Sequence, residues 1–219
     1  MYSEELLKAL QNHASREKRT SMEAYMKNQF SFIGTPSEIC KQCLKEHIQK
    51  FGIPKDEHLD TEIRSLWKTQ KRELNYCAQE LVLRKKWYKK RESIELFEWM
   101  ITTDSWWDTV DFIAASLVGA YFKSFPERTE EIARQWNASG NMWLTRTSIL
   151  FQLKYKEQTD TEFLAQLITP HLGSKEFFIQ KAIGWSLRQV SKTDPVFVRD
   201  FIASHDLKPV SHREAIKYI

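Results

Sequence analysis

Glycine and proline are scarce in this chain, six of each among 219 residues, and apolar residues almost nowhere alternate with polar ones. Without frequent turn residues or a two-residue pattern there is no basis for a sheet, so an all-helical protein is expected. No run approaches the roughly 18 apolar residues of a membrane span. The opening MYSEELLKAL reads as an amphipathic helix rather than a cleavable leader. A soluble, cytoplasmic protein is the expectation. Cysteine is scarce too: three residues make no even-numbered framework, which suits thiols packed in a reducing compartment.

Metal and nucleophile signatures are missing as well. Cys40, Cys43 and His47 share one helical face but supply three ligands at most, and no second Cys or His pair stands at the spacing of a structural zinc site. No metal is expected there, and buried packing is the reading for these thiols. His13, His58, His171, His205 and His212 are scattered near turns, and none joins a serine or cysteine in a nucleophile signature. They read as surface or capping residues.

What the chain does have is a 42% hydrophobic content, enough for a substantial core, and a formal charge of +4. Its cations are clustered. RKKWYKKR (84 to 91) holds six in eight residues, and SREKR (15 to 19) forms a second cluster. Such blocks suit a polyphosphate backbone, and equally a solvated helix face and loop.

Turn signals fall at 33–38, 51–58, 124–127, 138–141, 168–176, 192–195 and 207–212. Ser37, Ser174 and Thr193 are placed to cap helices there, with Pro126 and Pro195 near first turns. The intervening helices arrive in pairs. Aligning LNYCAQELV, TVDFIAASL, LTRTSILFQ and IQKAIGWSL puts Tyr76, Asp111, Arg146 and Lys181 in one column, 35 residues apart each time. That period is characteristic of an α-solenoid, a curved stack of antiparallel helix pairs. One domain spanning 1–219 is expected, with the second helix of each pair facing a concave groove.

Within SWWDTVDF (105 to 112), Trp107 and Asp111 stand four apart and project from one helix face. Asp108 suits the ordinary role of an acid near a helix start, with Ser105 as its cap; Asp111 suits that role less well. Trp106, Trp107, Trp143 and Trp185 cluster around the charged column, and Arg and Lys there could hold DNA phosphates. A carboxylate stabilises positive charge developing on a sugar ring, so these parts together suit cleavage of an N-glycosidic bond. No proton donor accompanies Asp111. A base that is already cationic leaves without one, and indole faces attract it.

SWWDTVD, NMWLTR (141 to 146) and FFIQKAIGWSLR (177 to 188) resemble the AlkD family of bacterial DNA alkylation repair glycosylases. The resemblance extends through EAYMKNQFSFIG (23 to 34) and SHREAIKYI (211 to 219), and so covers essentially the whole chain. It implies a HEAT-like repeat solenoid that wraps duplex DNA, and a monomer with no obligate protein partner is expected. The implied activity is excision of positively charged N3- and N7-alkylated purines without a cofactor and without flipping the base. Carried over by residue, it implies Asp111 as the catalytic carboxylate and Trp107 and Trp185 as the sugar-contacting indoles. It also implies DNA contacts at Arg146, Arg188 and Tyr25, with Lys181 expected beside them from its column. Trp106 and Trp143 are left to the core or to contacts between repeats. The alternative class is a non-catalytic repeat scaffold that binds nucleic acid or protein through the same groove.

Overall fold

The computed structural model describes residues 2–219, and among these no strand occurs. The fold class is all-α, a helical repeat of the solenoid kind. The chain divides into two compact units, Met1–Trp87 and Tyr88–Ile219.

The first unit contains α1 (Tyr2–Gln11), α2 (Arg16–Tyr25), α3 (Ser37–Phe51), α4 (Asp56–Lys68) and α5 (Arg72–Lys85). α1 packs on α3 and α4, and α5 on both α3 and α4. The chain between α2 and α3 is held by Glu73, a fully buried carboxylate that accepts from the amides of Ile33, Gly34 and Thr35 at 2.8–3.2 Å. Gly34 is required there. Its φ is +93°, and a Cβ would lie 2.2 Å from the Ser15 carbonyl oxygen. Cys40, Cys43 and Cys77 are free and buried, and burial pushes the Cys40 thiol up to about 12. His47 is buried beside Tyr2 and Phe51.

The second unit contains α6 (Ser93–Thr102), α7 (Trp107–Phe112), α8 (Gly119–Ser124), α9 (Thr129–Asn137) and α10 (Met142–Leu150). It continues with α11 (Thr161–Ile168), α12 (Phe177–Val190), α13 (Pro195–Ser204) and α14 (Pro209–Ala215). A π-helical segment, Ile113–Val118, joins α7 to α8. Such segments widen a helix by one residue per turn, and the loop after α10 sends one side chain to this segment and another to the residue just past it. Lys154 donates to Ser116 Oγ and the Tyr155 hydroxyl donates to the Gly119 carbonyl, each at 2.7 Å.

The repeat is visible in where helices start. α3, α5, α7, α10 and α12 begin at Ser37, Arg72, Trp107, Met142 and Phe177, each 35 residues after the last. The period therefore reaches one helix further toward the N-terminus than the aligned column. Within the second unit these helices contact one another in order: α7 and the π segment on α10, α10 on α12, α12 on α14. Their buried faces, with Leu150, Ile183 and Leu187 almost fully excluded from solvent, supply the core that a single helix pair lacks.

Every expected turn separates two helices, but the caps differ. α3 starts at Ser37 itself, after Pro36, with no side-chain cap. Ser174 accepts from the Glu176 amide, short of α12. Thr193 donates to the Val190 carbonyl, and Asp194 caps α13 through the Phe197 amide at 2.9 Å, ahead of Pro195. Ser105 donates to the Ile101 carbonyl, so α7 starts from extended Trp106 without a side-chain cap. The Thr193 and Ser105 hydroxyls satisfy carbonyls of the preceding turn instead of amides of the next. RKKWYKKR is the end of α5, a left-handed Lys86 and a 3-10 turn at Trp87–Lys89. Its Arg84 and Lys85 pair with Glu80 and Asp56 at 2.7 and 2.8 Å, the solvated-face arrangement.

Candidate functional site

In the second unit a cleft of about 400 Å³ opens between α7, α10, α12 and the C-terminal segment. α7 contributes Trp107 and Asp111, one turn apart; α10 contributes Arg146. From α12 come Phe177 and Phe178 at its first turn and then Lys181, Trp185 and Arg188, spaced along one face. Glu214 and Lys217 close the far side.

Six of the seven site residues read from the sequence meet in this cleft: Trp107, Asp111, Arg146, Lys181, Trp185 and Arg188. The seventh, Tyr25, ends α2 in the other unit and is 72% exposed. Phe177, Phe178, Glu214 and Lys217 line the cleft without having been singled out. Their sequence signal was weak: all four lie inside the quoted FFIQ and SHREAIKYI blocks, where nothing separates a lining residue from its neighbours.

Asp111 and Arg146 are partners. Arg146 Nε donates to Oδ1 at 2.7 Å and Nη2 to Oδ2 at 2.9 Å, a bidentate fork. Arg146 Nη1 donates to the Phe178 carbonyl. With 4% of its side chain exposed and three nitrogens committed, Arg146 is placed to hold Asp111. The reason is the column itself: side chains at equivalent positions of adjacent packed helices reach each other, and opposite charges close into a pair.

Behind the pair stands an aromatic wall. Trp106, Trp143 and Phe178 have ring centroids 5.0–6.0 Å apart, and the Arg146 guanidinium lies 5.9 Å from the Phe178 ring. Trp106 and Trp143 thus join a contact between repeats. This apolar surround has an electrostatic consequence. Burial pushes the Asp111 carboxyl above its ordinary 3.8, against the hydrogen bonds and charge of Arg146, which favour the ionised form.

Glu214 is the opposite case. Its side chain is 7% exposed and takes Lys181 at 2.8 Å, Arg188 at 2.8 Å and Lys217 at 2.9 and 3.0 Å. The bonds and charge of Lys181 first, and of Lys217, hold it down to about 2 against the effect of burial. The cleft therefore combines an indole-flanked carboxylate with an excess of positive charge, chemistry suited to a polyanion with a sugar at its centre.

A DNA alkylation repair enzyme family model matches residues 6–219. The chain belongs to this DNA alkylation repair enzyme family. A solved structure described as a predicted DNA alkylation repair enzyme from Enterococcus faecalis is similar at a TM-score of 0.88 and 32% identity. The match covers 94% of this chain and 97% of that one. No curated protein matches. Family membership assigns the chain to repair of alkylated DNA and supports DNA as what it acts on. No helix among the described residues is long and apolar enough to cross a membrane.

Proposed function

We propose that this family member is a monofunctional DNA glycosylase that hydrolyses the N-glycosidic bond of cationic N3- and N7-alkylated purines in duplex DNA. The observation that carries this reading is the Asp111–Arg146 pair, set in a cleft between Trp107 and Trp185. A carboxylate so held is preorganised: its oxygens need not reorient as positive charge develops on deoxyribose. Arg146 fixes both oxygens, and the aromatic wall strengthens every field inside by excluding water.

In the proposed reaction the two indoles frame the sugar and Asp111 faces the anomeric carbon. The alkylated base departs as a neutral molecule, taking the bond's electron pair, and water attacks the sugar cation with its proton passing to solvent. The departing base needs no protonation, which removes the need for a general acid, a cofactor or a base-sized pocket. The lesion can stay stacked. Lys181 and Arg188 meet phosphates, and Tyr25 serves as a DNA contact in the N-terminal unit.

The test is release of 7-methylguanine from methylated duplex DNA under single-turnover conditions. Asp111→Asn should lose on the order of 10²–10³ in rate, the scale for removing one preorganised stabiliser. Equal release by wild type and variant removes Asp111 from the chemistry. A second reading draws on the same pair, because a buried Asp–Arg bridge also serves to fix two helices in a binding scaffold. Salt-sensitive DNA binding with no base release by wild type would favour that scaffold.

A further inference from the structure

Six charged residues line the cleft: Arg146, Lys181, Arg188 and Lys217 against Asp111 and Glu214, a net of +2. Since Asp111 and Arg146 cancel each other, the whole excess belongs to the Glu214 cluster. That cluster depends on an intimate helix contact. Gly184 lies on the α12 face between Lys181 and Arg188, and a Cβ there would stand 2.5 Å from Glu214 Cβ and 2.6 Å from the Ser211 carbonyl oxygen. Only glycine lets α14 approach so closely, and Ser211 Oγ fixes the approach by donating to the Gln180 carbonyl at 2.9 Å. The result drives one carboxylate between cations two turns apart on α12, while Lys217 reaches back from the following turn.

We propose that Glu214 is a positioning residue for DNA, holding Lys181, Arg188 and Lys217 as one rigid clamp of net charge +2 that receives a backbone phosphate at the rim of the cleft. The proposal rests on the reading of the cleft as a DNA site. Long cationic side chains lose rotamer freedom when they engage a ligand. Here Glu214 orders them in the free protein, so binding meets a preorganised surface. Lys181, Arg188 and Lys217 keep 36%, 24% and 45% of their side chains exposed, so each retains donors for a ligand, whereas Glu214 is sealed beneath them. A phosphate seated there sets the register of the strand, and with it the sugar that faces Asp111.

Charge and position make opposite predictions. Glu214→Gln raises the cluster from +2 to +3, so a surface acting through net charge alone would bind DNA more tightly and excise as well as before. If Glu214 positions the cations, the variant gains no affinity and its single-turnover excision of 7-methylguanine falls roughly 10- to 100-fold, the scale of a small misplacement. Glu214→Asp, which keeps the charge, should recover part of that loss. Lys217→Met should reduce the slope of log affinity for undamaged duplex against log salt by about one unit. Tighter binding with wild-type excision in Glu214→Gln, or an unchanged slope in Lys217→Met, overturns the clamp. Should Glu214→Gln not fold, Glu214→Asp excision and the Lys217→Met slope decide. A wild type that binds with the expected slope but releases no base refutes the glycosylase reading and leaves the clamp standing.

Discussion

Replacing Arg146 by methionine strips Asp111 of both charge-assisted bonds in a site where only 15% of that carboxylate's side chain is exposed. Breaking one side of a buried ion pair ordinarily costs about 3–5 kcal/mol. Proton binding sets a ceiling, because Asp111 can escape its unpaired charge by protonating. Relative to the ordinary 3.8, that escape costs about 4.4 kcal/mol at pH 7 and about 1.6 kcal/mol at pH 5. The lost bond to the Phe178 carbonyl adds about 1 kcal/mol at either pH. Urea unfolding of Arg146→Met should therefore show a deficit of about 4–5 kcal/mol at pH 7, shrinking to about 2–3 kcal/mol at pH 5. The sign follows from the carboxyl: its folded-state value, raised further in the variant, stays above the unfolded one, so stability is regained as pH falls. Adding Asp111→Asn to the variant should restore most of the loss at pH 7, since no buried charge then lacks a partner. Equal deficits at the two pH values, or a double variant no more stable than the single one, would refute this account.

Two further outcomes follow from the same geometry. In wild type, burial lifts Asp111 above 3.8, so the acidic limb of single-turnover excision should lie above that value; a limb at or below it contradicts the environment described. Gly184→Ala should destabilise by about 1–3 kcal/mol in thermal unfolding, because the new methyl meets backbone of α14 that cannot simply rotate away. The gain in helix propensity, about 1 kcal/mol, offsets only part of this, and an unchanged melting temperature would mean that the α12–α14 contact yields freely.

The 35-residue period was legible because Pro, Gly and Asn mark the turns, and the column of Asp111, Arg146 and Lys181 followed from it directly. What a column cannot tell is whether its members face a ligand or each other. Asp111 and Arg146 turned out to be partners, and Lys181 found Glu214 instead. Glu214 was illegible for a related reason. α14 begins 32 residues after α12, so a strict period pairs Lys181 with Ile216, and the shortened step that brings the acid into place depends on Gly184. The π segment was not legible because the contacts at and just past it, Lys154 with Ser116 and Tyr155 with Gly119, come from a loop more than thirty residues away. Caps failed at Ser105 and Thr193 because each hydroxyl had a carbonyl of the previous turn within reach.

The two carboxylates of the cleft separate by environment, and that separation argues for their roles. Glu214 is surrounded by cations that hold it at about 2, so its charge is fully engaged and little of it is left to answer a change in a bound ligand. Asp111 is pushed the other way, since burial works against its ionised form and one arginine alone supports it. A charge held at such a cost gains most when a positive centre appears beside it, as deoxyribose becomes during loss of a cationic base. Environments that drive two like groups apart mark a division of labour. On the proposed reading Glu214 prepares the surface that seats the backbone, and Asp111 responds to the sugar. The repeat provides both from the same architecture, by setting each acid against a cation of the neighbouring helix and varying only how many cations it meets.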